Sequence, residues 1–351
     1  MKQADRNPRR LTLLVPALEL PSDVALRPGD GEQGGSPLLQ TVLSRAGAEA
    51  TEKGLEAQLF QLFGVEKAVG NDLPVAAVTY PYDGGNRPGW HLRCDPVHLV
   101  PGHNSLLLAG SEDLDISPEE SAAFIEELGR LYGDRGWHFE ALHPHRWYLT
   151  LPEPPSLQTH PLPTVQGRSI EHHLPLGEDA PQWHTLLAEI QMILHASPLN
   201  RRRESSGKPI VNSLWFWGGG PPPRCGAVSW SRVWSDEPLG GGLAEMVGLS
   251  HSSMPRSATQ WLRQAGPGAH LLVLDEARYI PRFGPLEQWL RYLGQLETTW
   301  FSPLLAALKQ GELEELELFA GSGHRFRITR RSLRRWWRRR RPLEVLLRDG
   351  R

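Results

Sequence analysis

The stretch DAPQWHTLLAEIQMILHASPLNRRRESSGKPIVNSLWFWGGG, residues 179–220, joins the clearest helical pattern of the chain to one of its clearest strands. Residues 179–197 carry apolar side chains at helical spacing, and Asp179 and Pro181 mark the start of this predicted amphipathic helix. Residues 211–217 are apolar and aromatic and end at glycines, which is typical of a buried strand.

Further strands are predicted at 11–15, 75–80, 105–110, 138–142, 146–151, 270–275 and 313–319, and further helices at 36–48, 54–64, 117–133 and 285–311. This alternation predicts an α/β fold with a mixed, largely parallel sheet and flanking helices.

The composition is that of a globular protein and sets limits on partners and compartment. The 351 residues are 39% apolar and 22% charged, and the net charge of −2 provides no global field toward nucleic acid or membrane. The two cysteines form no disulfide framework or zinc motif, which fits a reducing cytoplasm. No stretch approaches the roughly 18 apolar residues of a membrane span, so no membrane association is expected.

The domain organisation is predicted from shifts in composition. Residues 1–151 form an N-terminal α/β portion, and the proline-rich stretch 152–168 is an extended connection or a long surface loop. Residues 169–324 form a C-terminal α/β portion that contains the NSLWFWGGG motif, and 325–351 form a basic tail rich in Arg and Trp. The two α/β portions could also be one intertwined domain.

The segment between the predicted helix and strand is a candidate anion site. Asn200 opens a polar run that contains Arg203, and Asn212 precedes the aromatic strand that ends at Gly218 and Gly220. Arginine binds phosphate or carboxylate through two parallel hydrogen bonds, and a glycine turn adds backbone N–H donors. The alternative is a packing corner with solvated arginines, which the spacing alone favours.

The same residues resemble a known family of enzymes. Asn200, Arg203, Gly207 and Asn212, followed by a Trp-Gly-x-Gly turn that starts at Trp217, resemble a motif of the archaeal-type cofactor-independent phosphoglycerate mutases of the alkaline-phosphatase superfamily. The longer stretch 167–220, with 94–110, 146–151 and 333–343, resembles a related bacterial family named for the RpfE-type regulatory protein. The resemblance covers most of the chain from about residue 90 onward and implies a reduced phosphoglycerate-mutase-like fold.

The resemblance also implies a metal centre whose ligands are hard to place. The mutases use two divalent ions, about six Asp and His ligands and a Ser or Thr nucleophile. Here the first strand is followed only by Glu19, a later strand ends at Asp275 and Glu276, and His324 stands where an Asp-His dipeptide is expected but does not occur. We therefore expect no cofactor and no catalytic residue, with divalent metal only in an active alternative.

The basic tail is a second candidate binding surface. Ten arginines and no acidic residue lie between residues 325 and 341, and Trp336 and Trp337 stand among them. Arginine with tryptophan is typical of single-stranded nucleic-acid binding, for which the candidates are Arg334, Arg335, Trp336, Trp337 and Arg338. The alternative, which the chain's overall neutrality favours, is a docked amphipathic helix whose arginines pair with acidic residues around 311–317.

Three functions follow from these patterns. The first is a cytoplasmic, non-catalytic phosphoglycerate-mutase-like protein that regulates by binding a phosphorylated small molecule or a protein partner. The second is an active metal-dependent phosphoglycerate mutase or phosphatase. The third is a nucleic-acid-associated regulator that acts through its basic C-terminus.

Overall fold

The structure is a computed structural model that describes residues 9–18, 36–66, 72–102, 105–277 and 286–349. The chain divides into two compact units, of which unit 1 comprises 1–64 with 225–351 and unit 2 comprises 65–224. The proline-rich stretch 152–168 lies inside unit 2, and the two predicted α/β portions each contribute to both units. Composition does not reveal this arrangement, because unit 1 is assembled from segments distant in sequence.

The described residues contain twelve strands and thirteen α-helices, whose bounds are as follows. The strands are β1 (Arg9–Val15), β2 (Gly47–Ala50), β3 (Trp90–Pro101), β4 (Leu106–Ala109), β5 (His138–His143), β6 (Arg146–Leu151), β7 (Ser213–Trp217), β8 (Trp230–Trp234), β9 (His251–Ser252), β10 (Gly268–Val273), β11 (Leu313–Ala320) and β12 (His324–Thr329). The helices are α1 (Pro37–Arg45), α2 (Leu55–Leu62), α3 (Val75–Tyr82), α4 (Pro118–Tyr132), α5 (Leu162–Val165), α6 (Ala180–Ala196), α7 (Pro198–Ser205), α8 (Pro238–Met246), α9 (Ala258–Gln264), α10 (Leu286–Leu296), α11 (Ser302–Gln310), α12 (Arg330–Leu333) and α13 (Leu343–Asp349).

Unit 1 is built on a seven-stranded sheet in the order β2-β12-β11-β1-β10-β8-β9. The strands from β11 to β9 in this order run parallel, whereas β12 and β2 are antiparallel to their neighbours. Strand β1 lies at the centre because residues 11–15 are mostly apolar and all buried, which suits a strand that is covered on both faces. The prediction of a mixed, largely parallel sheet with flanking helices is confirmed for this unit.

The helices of unit 1 close over this sheet through long-range hydrogen bonds. Buried Trp289 of α10 donates its indole N–H to Ala17 O at 2.8 Å, just beyond the carboxyl end of β1. The helix predicted over 285–311 is interrupted by a π-helical turn, Glu297–Phe301, which joins α10 to α11 directly before Pro303. Glu297 Oε2 accepts Leu38 N at 3.0 Å and Leu39 N at 3.1 Å, so this turn caps the N-terminus of α1.

Unit 2 is built on an antiparallel sheet in the order β4-β3-β6-β5, with β7 also paired to β3. The twelve-residue strand β3 pairs with β6 near its start, with β7 in the middle and with β4 near its end. Helices α4 and α6 cover this sheet with apolar side chains, and α4 begins with a capping box formed by Ser117 and Glu120. The purely antiparallel pairing here was not part of the sequence prediction.

One predicted strand is wrong. Residues 75–80 form α3 rather than a strand, with Thr79 Oγ1 donating to Val75 O at 3.0 Å. All six residues are buried, so no polar face distinguishes a helical period from a strand in this apolar run.

Candidate functional site

Asn200 is a buried residue that ties the end of α6 to the approach of β7. Its Nδ2 donates to Leu194 O and to Val211 O, both at 2.7 Å, and its Oδ1 accepts Val211 N at 2.9 Å. These bonds take both amide protons and one carbonyl lone pair. The side chain is 3% exposed, so it is held within the protein rather than offered to a ligand.

Arg203 is equally enclosed, with 1% of its surface exposed. Nη1 donates to Glu120 Oε2 at 2.7 Å, Nε donates to Pro209 O at 2.9 Å, and Nη2 donates to Leu114 O. The guanidinium therefore faces a carboxylate and backbone carbonyls, which are the groups that a bound phosphate would have to displace. This geometry favours a structural role for Arg203.

Asn212 and the two glycines complete the predicted anion site, and they contact two different parts of unit 2. Asn212 Oδ1 accepts Leu99 N at 2.7 Å and Nδ2 donates to Leu99 O at 2.9 Å, which reproduces one rung of a strand pair. Gly218 has φ +70°, and a Cβ there would lie 3.1 Å from Val75 Cβ. A Cβ at Gly220 would lie 2.6 Å from Pro74 Cβ, so both glycines permit close packing against the start of α3. Anion binding by Asn200, Arg203, Asn212, Gly218 and Gly220 stays a prediction, and their contacts favour the packing corner.

A buried ion pair on β3 explains Trp217 and was missed in the sequence. Asp95 is 0% exposed and accepts Arg93 Nη2 at 2.8 Å, Trp217 Nε1 at 2.7 Å and Trp147 N at 3.2 Å. The guanidinium lies between the rings of Tyr148 and Trp217, at 5.4 and 5.2 Å from their centroids. Burial by itself would lower the pKa of Arg93, but the adjacent Asp95 carboxylate outweighs it and raises that pKa. The signal available in sequence was the i, i+2 spacing of Arg93 and Asp95, which places both on one face of a strand.

A second ion pair lies beside the first. Arg146 binds Asp83 through Nε and Nη2, each at 2.8 Å, and Tyr148 Oη donates to Asp83 Oδ2 at 2.6 Å. Burial would raise the pKa of Asp83, but the hydrogen bonds from Arg146 and Tyr148 lower it. His143 is close to these cations, and burial together with Arg146 and His145 lowers the pKa of His143 to about 4. Each arginine is balanced by the carboxylate of its own pair, and together the two pairs give unit 2 a polar centre.

The candidate metal ligands do not converge in the described part of the chain. Glu19 lies outside the described residues. His324 lies on β12, and its Nδ1 is 3.4 Å from Ser322 Oγ. Strands β11 and β1 separate β12 from β10, the strand that precedes Asp275 and Glu276. Burial is the main cause that raises the pKa of Tyr292, and the negative charges of Glu276 and Asp275 add to it. These two carboxylates therefore lie near α10, which contains Tyr292. Across the described ranges, no three His, Cys, Asp or Glu side chains are grouped so that they could hold a metal ion. These residues therefore do not fit a two-metal centre by themselves.

The basic tail is hydrogen-bonded to the C-terminus of α1. Arg335 Nη1 donates to Arg45 O at 3.3 Å and Arg338 Nη1 donates to Ala46 O at 2.9 Å. Arg341 N donates to Ser44 Oγ at 2.9 Å. Cationic side chains on the last carbonyls of a helix satisfy orphan acceptors and favour the negative end of its dipole. Arg335 and Arg338 of the predicted nucleic-acid surface are thus anchors in this structure.

The arginines beyond these anchors differ in whether an acidic residue pairs with them. Arg325 and Arg327 pair with Glu49, Glu315 and Glu317, as the acid-pairing alternative expects. In the described residues, no acidic side chain forms an ion pair with any arginine of 330–341. The tail is also not one amphipathic helix, because α12 ends after four residues and a turn precedes α13.

A cleft of about 610 Å³ lies beside this segment, and we call it the arginine cleft. Three arginines contribute to its wall, and its apolar surface comes from α1, β2, β12 and α13. The cleft is lined by Leu43, Ser44, Ala46, Gly47, Ala48, Phe326, Arg338, Arg339, Arg341 and Leu346. Its volume lies within the range of small-molecule sites. The sequence signal for it was the arginine run alone, since α1 is almost 300 residues away in the chain.

Among the helices that the structure describes, none combines the length and the apolar character needed to cross a bilayer.

Sequence comparisons give the ancestry of the chain. It is 30% identical over 133 residues to a probable 2,3-bisphosphoglycerate-independent phosphoglycerate mutase of Geobacter sulfurreducens, covering 38% of this chain and 33% of that protein. It is 30% identical over 134 residues to the corresponding mutase of Methanosarcina barkeri, again covering 38% of this chain and 33% of that protein. The chain is homologous to part of the cofactor-independent phosphoglycerate mutases. The match spans about a third of the length of these curated relatives, and no protein-family model matches the chain.

A structural comparison supports the fold alone. The PH0037 protein of Pyrococcus horikoshii superposes with a TM-score of 0.52 at 12% identity, covering 92% of this chain and 87% of that one. The mixed α/β fold with a largely parallel sheet is therefore shared with a solved protein of similar extent.

Proposed function

We propose that this phosphoglycerate-mutase-like protein binds a phosphate-bearing ligand and acts as a regulator rather than as a mutase. The observation that carries the proposal is the arginine cleft, where Arg339 and Arg341 have no acidic partner in the described residues. Arginine donates paired, charge-assisted hydrogen bonds that match phosphate oxygens. The homology to enzymes that bind phosphorylated substrates supports this class of ligand.

The carboxyl end of β1 supports a non-catalytic role. In the mutases that the sequence resembles, a metal ligand follows the first strand, and here Pro16, Ala17 and Leu18 are buried at that position. Trp289 contacts Ala17 O, and a Cβ on Gly321 would lie 2.3 Å from Pro16 O. Among the described residues, apolar side chains and backbone thus occupy the carboxyl end of the central strand.

The regulatory role and its compartment complete the proposal. The resemblance of residues 167–220 to the RpfE-type regulatory family supports regulation by binding. Both cysteines are free thiols, and Cys94 is fully buried, which supports a reducing cytoplasm as the place where the protein acts.

The test of phosphate binding is a thermal-shift titration with inorganic phosphate and with pyrophosphate. A ligand that binds only the folded state raises the melting temperature, so both anions should stabilise the wild-type chain. The Arg339→Ala/Arg341→Ala variant should lose this rise. The matched control, Arg201→Ala/Arg202→Ala, removes two exposed arginines of α7 and should keep it. An equal rise in the Arg339/Arg341 variant would overturn the proposal.

An active metal-dependent mutase or phosphatase is the second candidate, and the homology to mutases favours it. Its test is the metal content of the purified chain together with assays of phosphoglycerate interconversion and phosphatase activity with added Mn²⁺ and Mg²⁺. Turnover that depends on metal would overturn the non-catalytic proposal, and absence of turnover with retained phosphate binding would support it.

A further inference from the structure

Two tryptophans beside the arginine cleft are exposed to an unusual degree. Trp336 is 78% exposed and Trp337 is 64% exposed, whereas the other eleven tryptophans are buried or half-buried. We call these two residues the tryptophan pair. Adjacent large aromatic side chains that remain exposed to solvent are typical of a surface that binds a ligand or a partner.

The geometry of the tryptophan pair limits what it can bind. The two ring centroids lie 6.2 Å apart and the ring planes make an angle of 82°. Two neighbouring bases that remain stacked on each other cannot both stack on rings at right angles. The pair therefore suits bases that are splayed apart, which a single strand permits and a duplex does not.

In residues 330–341, which contain the tryptophan pair, every charged side chain is an arginine. Arg334, Arg339 and Arg340 are exposed, and Arg341 lines the cleft, with no ion pair to an acidic side chain in the described part of the chain. Guanidinium groups spaced along a segment contact the phosphates of a strand, while the aromatic rings contact its bases. Because α12 has only four residues, the segment does not form the long amphipathic helix with which proteins lie on membranes.

We propose that the tryptophan pair, with Arg334, Arg339 and Arg340, binds single-stranded nucleic acid, whose phosphates continue into the arginine cleft. The inference rests on the proposed function, because it assigns a polymer as the phosphate-bearing ligand. Recognition is independent of base sequence, because the surface offers arginines and aromatic rings and, within residues 333–341, no Asn, Gln, Asp or Glu side chain to read a base edge.

The test is fluorescence anisotropy of a labelled oligothymidylate of about 12 nucleotides, a length typical of single-strand sites. We expect binding that weakens with salt, with a slope of log K against log salt of about −0.7 for each phosphate contacted. Trp336→Ala/Trp337→Ala should weaken binding about thirty-fold or more, because two stacking contacts with bases are lost. Trp336→Phe/Trp337→Phe should recover most of the affinity, and Arg201→Ala/Arg202→Ala should bind as the wild type does.

The thermal-shift and anisotropy results together separate this inference from the proposed function. If phosphate and pyrophosphate raise the melting temperature but the oligonucleotide does not bind, the inference fails and the proposed function stands. If the oligonucleotide binds equally to the wild type and to the Trp336→Ala/Trp337→Ala variant, the assigned surface is wrong. Preferential binding to phosphatidylserine vesicles, or to the duplex of the same length, would also overturn the inference.

Discussion

Arg203 Nη1 donates to Glu120 Oε2 at 2.7 Å, and the same carboxylate oxygen accepts Ser117 N at 3.0 Å. One carboxylate thus closes the capping box of α4 and neutralises a buried cation of α7. The residue predicted to bind an external anion already holds an internal one.

Replacement of Arg203 should therefore reduce stability. Arg203→Ala leaves Glu120 without its cation and Leu114 O and Pro209 O without donors, so we expect the free energy of unfolding to fall by about 3 kcal/mol. Urea unfolding monitored by tryptophan fluorescence measures the change. Arg202→Ala, one residue earlier and exposed, should change it by less than about 0.5 kcal/mol. A stable Arg203→Ala variant that loses phosphate binding would restore the anion-site interpretation.

The Arg93–Asp95 pair gives a sharper test of the polar centre of unit 2. Asp95→Asn leaves Arg93 buried without a full counter-charge, so the free energy of unfolding should fall by about 3 kcal/mol or more. A double-mutant cycle with Trp217→Phe should show coupling of at least about 0.5 kcal/mol, because the indole N–H bonds to this carboxylate. Asp113→Asn, an exposed aspartate of the same unit, is the matched control. Additive effects of Asp95→Asn and Trp217→Phe would contradict the shared network.

Gly207 and Gly218 have similar φ angles but different surroundings, so alanine substitutions there distinguish the cost of backbone strain from the cost of side-chain crowding. Gly207 has φ +76°, and a Cβ there would have no neighbour within 4 Å, whereas Gly218 has φ +70° and a Cβ there would lie 3.1 Å from Val75 Cβ. Gly207→Ala should cost about 1 kcal/mol for the left-handed conformation alone. Gly218→Ala should cost more, because Val75 and α3 must also shift. Equal losses in urea unfolding would show that the 218–220 turn does not depend on its close approach to α3.

The lowered pKa of His143 predicts a loss of stability in acid. The unfolded side chain has a pKa near 6.5 and the folded one about 4, so the unfolded state binds the proton first. The contribution of His143 is therefore complete above about pH 6.5 and falls as the pH decreases toward 4. Burial also lowers the pKa of His91 and His270, so part of the slope belongs to them. His143→Gln should show a shallower dependence of unfolding free energy on pH in this range, and identical slopes would contradict the assignment.

Local sequence patterns predicted the elements whose signals are local. The apolar stripe of 179–197 and the buried strand predicted at 211–217 each lie within one element, and the structure has both. The run 75–80 was mispredicted because a short buried apolar segment has no polar face to reveal its period. Strand β3 was missed because polar residues such as Arg93 and Asp95 occupy its buried face, and only pairing with each other and with Trp217 makes this favourable.

The candidate site was predictable only in part for the same reason. The arginine and tryptophan content of 333–341 was visible in sequence, but the anchoring roles of Arg335 and Arg338 depend on Arg45 O and Ala46 O. Likewise, Asn200 and Arg203 have the chemistry of an anion site, and only the positions of Val211 and Glu120 show that their bonds are taken. Long-range contacts decide these roles, and residue spacing does not encode them.

The two ends of α1 determine when unit 1 can fold during synthesis. Its N-terminus is capped by Glu297 and its C-terminus is held by Arg335 and Arg338, and β1 pairs with strands that begin at residues 268 and 313. A ribosome releases residues 65–224 of unit 2 before any of these partners, so unit 2 can fold while β1 and α1 still lack theirs. Until residues 268–320 have been made, the nascent chain carries an unpaired apolar β1, and α1 gains its C-terminal anchors only when residues 335–338 have followed.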